Sequence, residues 1–262
     1  MRSRRWTLWL GDLILSLLLL APASAALAAA QPSRTDSLFR AGVAEGSHAS
    51  ALADVALLPN DYETLWRAAR AETVRGVVAG GTDKDKSAIF LKGETFARRA
   101  TALKPNRVEG HYWLAAALGR RTWVESMLSA ARLGAEARRE TLRVLAIDSL
   151  NAGGHGLLGK MYLETAELGF FPRMLASTIM GGPVSRSVSQ ARAEQELTRA
   201  IALDPEVIVH RADLALLYLR TNRLAVAERV VEELVSLPAR TPADPQIQRS
   251  ILGVLAAYRA RH

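Results

Sequence analysis

The stretch ATALKP at residues 100–105 returns a hundred residues later, almost unchanged, as AIALDP at residues 200–205. The likeness continues downstream of both prolines. Nine residues past each proline the chain has the pair Leu-Ala, first at Leu114 and then at Leu214. Self-similarity of this kind indicates stacked structural units rather than a single layered core.

A third, degenerate copy lies between the first two. Its proline position is Ser149, at the end of AIDS (residues 146–149), and nine residues later comes the pair Leu158-Gly159. The spacing is irregular, because Pro105 and Ser149 are 44 residues apart whereas Ser149 and Pro205 are 56 apart. Both intervals exceed the roughly 34 residues of a standard helix-turn-helix repeat. We therefore expect loops or extended helices at residues 74–85, 122–134 and 169–188.

All three copies fit the tetratricopeptide pattern, a pair of antiparallel helices per repeat. Small residues let the two helices approach closely, and a proline ends the second helix because it cannot continue the hydrogen-bond ladder. Small residues occupy the same first-helix position in each copy: Ala115, Gly159 and Ala215. The sequence therefore predicts an all-α superhelix of helical hairpins, a tetratricopeptide-like solenoid.

The pattern also places the ends of the solenoid. An earlier unit begins at Tyr62, with a second helix over residues 86–103, and a half-repeat precedes it at residues 51–58. Residues 246–261 form an amphipathic stretch in which Ile247, Ile251, Leu255 and Tyr258 share one helical face. We expect a capping helix there, since a solenoid needs a polar outer end.

Three segments of the chain resemble the tetratricopeptide domain of the regulator of microtubule dynamics family. They are YETLWRAAR (residues 62–70), GHYWLA (residues 110–115) and MGGP (residues 180–183). The resemblance covers about residues 35–238 and extends to bacterial relatives. It implies an all-α fold. It also implies a lipid-related role, because eukaryotic members are attached to membranes and at least one binds and transfers phospholipid.

The N-terminus has the layout of a secretory signal. Arginines at positions 2, 4 and 5 precede an apolar run at residues 13–20, and small residues follow. We expect a signal peptide over residues 1–30, cleaved after Ala25 or Ala30, a single domain over residues 31–262, and a periplasmic or cell-envelope location. The alternative is an uncleaved anchor over residues 6–30 that attaches the chain to the inner membrane.

Composition narrows the possible functions. Hydrophobic residues make up 49% of the 262 residues and charged residues 23%, as in ordinary globular proteins. The chain has no cysteine, which excludes disulfides and thiolate metal sites. The net charge is +8, but the cations are interspersed with acids, as in ARRE at residues 137–140. Nucleic-acid binding needs a clustered basic face, so we expect none.

Motifs for catalysis are largely missing. GHGLLG at residues 154–159 matches a dinucleotide-binding fingerprint, but the acid required about twenty residues downstream is absent, because position 179 is Ile. We expect Gly159 to serve helix packing instead. His111 and His155 occupy equivalent repeat positions, where we expect them to pack between helices rather than to bind a metal. We therefore expect a protein that is not an enzyme and needs no cofactor or metal.

The concave face of a solenoid is lined by the first helices of its repeats. The register predicts that these groove residues are Trp66, Arg70, Tyr112, Arg120, Lys160, Leu216 and Arg220. Their mixture of apolar and cationic groups suits an amphipathic anion. The alternative is that the arginines are merely solvated, or are paired with Glu63, Glu109 and Glu164. The leading hypothesis is an exported scaffold that binds a protein or peptide partner.

The alternative hypothesis is a carrier of a hydrophobic or phospholipid ligand. The segment 169–188 is too apolar for an ordinary solvated loop, so it either packs on the solenoid as core, lines a ligand cavity or contacts a membrane. The residues of this possible lid are Phe170, Phe171, Met174 and Met180. A nucleotide-dependent enzyme is the disfavoured third class.

Overall fold

The structure of the chain is a computed structural model that describes residues 33–168 and 186–261. This part of the chain contains eleven α-helices and no β-strand. The helices are α1 (Arg34–Arg40), α2 (Ala44–Leu57), α3 (Tyr62–Val78), α4 (Asp83–Leu103), α5 (Val108–Arg121), α6 (Met127–Ile147), α7 (Ala152–Glu167), α8 (Arg186–Leu203), α9 (Ile208–Arg220), α10 (Leu224–Ser236) and α11 (Asp244–Arg259).

The helices pair in chain order as antiparallel hairpins, and α11 follows the last pair. Each second helix also packs on the first helix of the next hairpin, and α3, α5, α7, α9 and α11 pack on one another in sequence. This is the predicted architecture, a tetratricopeptide-like solenoid. The C-terminal helix packs chiefly on α9, through Ile251 and Leu255, as the shared apolar face predicts.

Long helices extend the α3–α4 and α5–α6 hairpins, since α4 and α6 each have 21 residues. Helix α4 begins at Asp83 rather than near Lys86, and α3 extends to Val78, so only four residues separate them where an insert was expected. Thr82 and Asp85 form a reciprocal capping box that fixes the start of α4. Helix α6 likewise starts at Met127, inside the second predicted insert. The half-repeat predicted at residues 51–58 is a complete hairpin, α1–α2.

Small residues are located where neighbouring helices come closest. A Cβ atom on Gly159 would lie 2.7 Å from Cγ of Leu197 in α8, closer than carbon atoms pack. Ala115 and Ala215, at the equivalent positions, are completely buried. The predicted register of the repeats is therefore confirmed at all three positions.

A hydrogen-bonded clasp recurs in three consecutive hairpins. Four residues before each small residue, a side chain of the first helix contacts a carboxylate of the second helix and the backbone carbonyl that ends the preceding repeat. The three clasps join His111 to Glu140 and Pro105, His155 to Glu196 and Ser149, and Arg211 to Glu233 and Pro205. The clasp therefore ties each turn to the hairpin that follows it.

The two hydrogen bonds of His111 indicate the protonation state of its ring. Its Nδ1 lies 2.5 Å from the Glu140 carboxylate, and its Nε2 lies 2.9 Å from the Pro105 carbonyl oxygen. Both partners are acceptors, so the ring donates both bonds only when it is protonated. The hydrogen bond to Glu140 raises the pKa of His111 above its ordinary value. Arg211 makes the equivalent pair of bonds in the third clasp with a permanent charge.

Candidate functional site: a concave groove with an exposed tryptophan

The first helices of the hairpins enclose a groove, as the register predicts. A cavity of about 410 Å³ is lined by side chains of α3, α5, α7 and α9 and by the start of α11. Two further cavities adjoin it, of about 570 Å³ towards α4 and α11 and about 470 Å³ between α5, α6 and α7. We call these three cavities together the concave groove.

Five of the seven predicted groove residues line these cavities. Tyr112, Arg120 and Lys160 meet in the first cavity. Leu216 joins Arg120 and Lys160 in the second, and Arg220 lines the third. The sequence register thus brings residues from α5, α7 and α9 to one surface.

Neither Trp66 nor Arg70 lines the groove cavities. Arg70 lies at the contact between α1 and α3, whereas Trp66 packs on the cluster of Tyr62, Leu65 and Ala100. The Arg70 guanidinium is buried, donates to Asp36 at 2.6 Å and lies 4.1 Å from the Phe39 ring. Burial alone would raise the pKa of the Asp36 carboxyl, but hydrogen bonds from Arg67 and Arg70 hold it below its ordinary value. Arg70 is therefore engaged in holding α1 rather than facing a ligand.

A charge cluster occupies the middle of the groove. The Lys160 ammonium donates to Asp213 at 2.7 Å and lies 3.5 Å from Glu164. Burial alone would lower the pKa of Lys160, but these two carboxylates raise it above the ordinary value. Burial raises the pKa of Glu164, against the opposing charges of Lys160 and Arg120. Two carboxylates of the groove therefore pair Lys160.

Glycines of α7 form part of the groove floor. A Cβ on Gly153 would lie 2.5 Å from the Tyr112 ring, and one on Gly156 would lie 2.1 Å from the His210 ring. Rings from α5 and α9 therefore close over the glycines of the helix between them. His210 is 3% exposed, its Nε2 has no hydrogen-bond partner, and burial lowers its pKa.

The fingerprint-like GHGLLG sequence lies inside α7 rather than in a loop. Its glycines all face neighbouring side chains: Gly154 faces Val144 and Leu145, Gly156 faces His210, and Gly159 faces Leu197. A phosphate-binding loop presents free backbone N–H groups at a helix start. These glycines are instead used for helix packing, as predicted for Gly159.

The residue that the sequence reading missed is Trp123. It lies two residues past the end of α5, lines all three cavities and is 60% exposed, with the Lys160 ammonium 5.7 Å from its ring centroid. The sequence predicts an insert at residues 122–134, which places Trp123 outside the predicted groove. A useful signal was present, because Trp123 lies within one helical turn of the predicted groove residue Arg120.

Phe170, Phe171, Met174 and Met180 lie outside the described residues. Within residues 33–168 and 186–261, no cluster of three or more potential ligand side chains could hold a metal ion. In the same part of the chain, no helix is both long and apolar enough to cross a membrane.

Fold and groove together define a tetratricopeptide-type α-solenoid. A thermophilic tetratricopeptide protein of Thermus thermophilus has a similar crystal structure, with a TM-score of 0.60 at 17% identity, covering 85% of this chain and 95% of that one. The family model described as regulator of microtubule dynamics protein 1-3 matches residues 33–259. The chain therefore belongs to the regulator of microtubule dynamics family.

Curated relatives agree with this assignment. The chain is 22% identical over 201 residues to regulator of microtubule dynamics protein 1 of Bos taurus, covering 76% of this chain and 62% of that protein. It is 23% identical to the Mus musculus protein of the same name, covering 72% of this chain and 61% of that protein. The chain thus matches somewhat less than two thirds of the length of these relatives.

Proposed function

We propose that this chain is an exported scaffold that holds a segment of a partner protein in the concave groove. The observation that carries the proposal is the open groove itself, which the first helices of consecutive hairpins build around an exposed tryptophan. Large aromatic side chains in concave, partly apolar surfaces are frequent anchors of protein interfaces. The tetratricopeptide-like fold supports protein binding in general.

Lys160 does not have the environment of a catalytic base. A catalytic lysine needs a lowered pKa, so that it is partly neutral near pH 7. Lys160 has the opposite environment, because Asp213 and Glu164 raise its pKa and keep it protonated. Its role in the proposal is to fix charge and geometry at the centre of the groove.

A photo-crosslinking experiment in the native host tests the scaffold. A photoreactive amino acid replaces Ala116 or Leu216 in the groove, and as a matched control Leu142 or Arg229 on the second helices α6 and α10. We expect a covalent adduct with one defined protein from both groove positions and none from the control positions. Adducts from the control positions alone would contradict the proposal.

Export is a separate element of the proposal, supported by the pattern of residues 1–30. The expected mature chain begins at Ala26 or Gln31 and is found in the periplasmic fraction. Intact mass measurement of the protein from fractionated cells distinguishes the possibilities. A chain that retains residues 1–30 and fractionates with the inner membrane would support the anchored alternative.

A second candidate function is supported by the third cavity. This cavity of about 470 Å³ is lined mainly by small apolar residues of α6, together with Met127, Met161 and Leu168. Apolar cavities of this size accommodate hydrophobic ligands. If the chain is a lipid carrier, native mass spectrometry of the purified protein will show a bound species of lipid mass; ligand-free protein only would count against it.

A further inference from the structure

Trp123 is an unusual residue for the interior of a groove. Its indole is 60% exposed, although it lies where all three cavities meet. Removing a large apolar side chain from water is favourable, so covering Trp123 would stabilise a complex with a partner. The binding free energy is most favourable for an apolar side chain that fills the cavity beside the indole.

Two arginines flank the tryptophan at equivalent repeat positions. Arg120 in α5 and Arg220 in α9 each lie six residues past the leucine of their Leu-Ala pair, and each lines at least one cavity together with Trp123. Among the described residues, neither makes a hydrogen bond or an ion pair, whereas Lys160 is bonded to Asp213. The groove therefore presents two guanidinium groups that no carboxylate of the described residues contacts directly, with Arg120 within electrostatic range of Glu164.

We propose that the partner segment is an extended peptide that is both apolar and acidic. An aromatic or aliphatic side chain covers the Trp123 indole, and carboxylates pair with Arg120 and Arg220, whose planar guanidinium groups suit bidentate contacts. This inference rests on the proposed function and names the chemistry of the partner.

The remaining groove charges argue against other polyanions. Asp213 and Glu164 line the same cavities as the two arginines and would repel an uninterrupted phosphate backbone. A flat membrane surface would leave the cavities beside the indole unfilled, whereas a peptide side chain can enter them. A peptide fits this groove, because its carboxylates can be spaced so that they pair with the arginines and avoid Asp213 and Glu164.

The test uses isothermal titration calorimetry on the purified full chain with two synthetic peptides. One peptide carries a phenylalanine flanked on both sides by glutamates, and the other has every glutamate replaced by glutamine. We expect the glutamate peptide to bind at least about tenfold more tightly, since hydrogen bonds to charged groups contribute more than neutral ones. Trp123→Ala should weaken binding by about tenfold. The double variant Arg120→Gln with Arg220→Gln should remove the difference between the peptides.

Two variants provide matched controls. Leu128→Ala truncates an apolar side chain that is 66% exposed but lines none of the three cavities. Arg229→Gln removes an exposed charge on α10. Neither should change the affinity for either peptide, and all variants should keep the circular dichroism spectrum and melting temperature of the native chain.

The outcomes separate the inference from the proposed function. Equal binding of both peptides, still lost in Trp123→Ala, would overturn the acidic chemistry and leave the groove as a binding surface. Affinities unchanged in Trp123→Ala would overturn the role of the indole. Binding to phosphatidylglycerol vesicles that depends on Trp123 would overturn the peptide in favour of a membrane. The scaffold itself fails only if photo-crosslinking gives adducts solely from the second helices.

Discussion

Replacing Gly159 by alanine perturbs the closest approach in the α7–α8 hairpin. The new Cβ would lie 2.7 Å from Cγ of Leu197, 3.0 Å from its Cδ2 and 3.1 Å from its backbone nitrogen. Leu197 is fully buried, so its side chain cannot simply rotate away into solvent. The contact with the backbone nitrogen means that α8 itself must shift to relieve the overlap.

The expected magnitude combines two opposing effects. Overpacking a well-packed contact costs about 1–3 kcal/mol. Alanine recovers up to about 1 kcal/mol because it favours the helix more than glycine does. We expect Gly159→Ala to lower the free energy of unfolding by about 1–2 kcal/mol. In a domain of this size that corresponds to a melting temperature lower by roughly 2–8 °C.

Gly253→Ala is the matched control. Gly253 lies inside α11, and a Cβ added there meets no atom within 4 Å. The same substitution should therefore raise stability by about 0.5–1 kcal/mol. Thermal unfolding followed by far-UV circular dichroism, with urea titration for the free energies, measures both variants. If Gly159→Ala is as stable as Gly253→Ala, the register that places Gly159 against α8 is refuted.

Three further predictions concern buried charged groups. In the folded chain the pKa of His111 is raised, so its clasp stabilises the chain at low pH, and this stabilisation is lost as the pH rises through that pKa. In urea titrations, His111→Gln should have a lower free energy of unfolding than the native chain at low pH, by an amount that shrinks over this range. In the folded chain the pKa of His210 is lowered, so the chain loses stability as the pH falls below about 6.5. His210→Gln should reduce this loss of unfolding free energy at acid pH. Asp36→Asn weakens the partner of the buried Arg70 and should cost about 3 kcal/mol of unfolding free energy by chemical denaturation. A pH-independent deficit in His111→Gln, an unchanged acid loss in His210→Gln, or native stability in Asp36→Asn would contradict the respective prediction.

The repeat architecture could be read from sequence because its determinants are local. A proline or its substitute ends each second helix, and a small residue marks each close approach, so Pro105, Pro205 and Gly159 suffice to set the register. The same register placed Tyr112, Arg120 and Lys160 correctly on one surface, since equivalent positions in consecutive hairpins face the same side.

The errors at the groove arose where structure depends on distant residues. Arg70 has the right repeat position, but α1 brings Asp36 and Phe39 onto it, and the short α1 helix carries no repeat signature. The clasps of His111 and His155 were predicted as packing alone, because their carboxylate partners lie 29 and 41 residues further along the chain. Trp123 was missed because the end of α5 adjoins a segment read as an insert.

The central claim is that a partner segment lies in the concave groove against the Trp123 indole. A crystal structure of the chain bound to the segment recovered by crosslinking tests it most directly. We predict that the segment crosses the first helices, with an apolar side chain covering Trp123 and a carboxylate on Arg120. A segment bound along the second helices α4, α6, α8 and α10, with Trp123 still open to solvent, would contradict it.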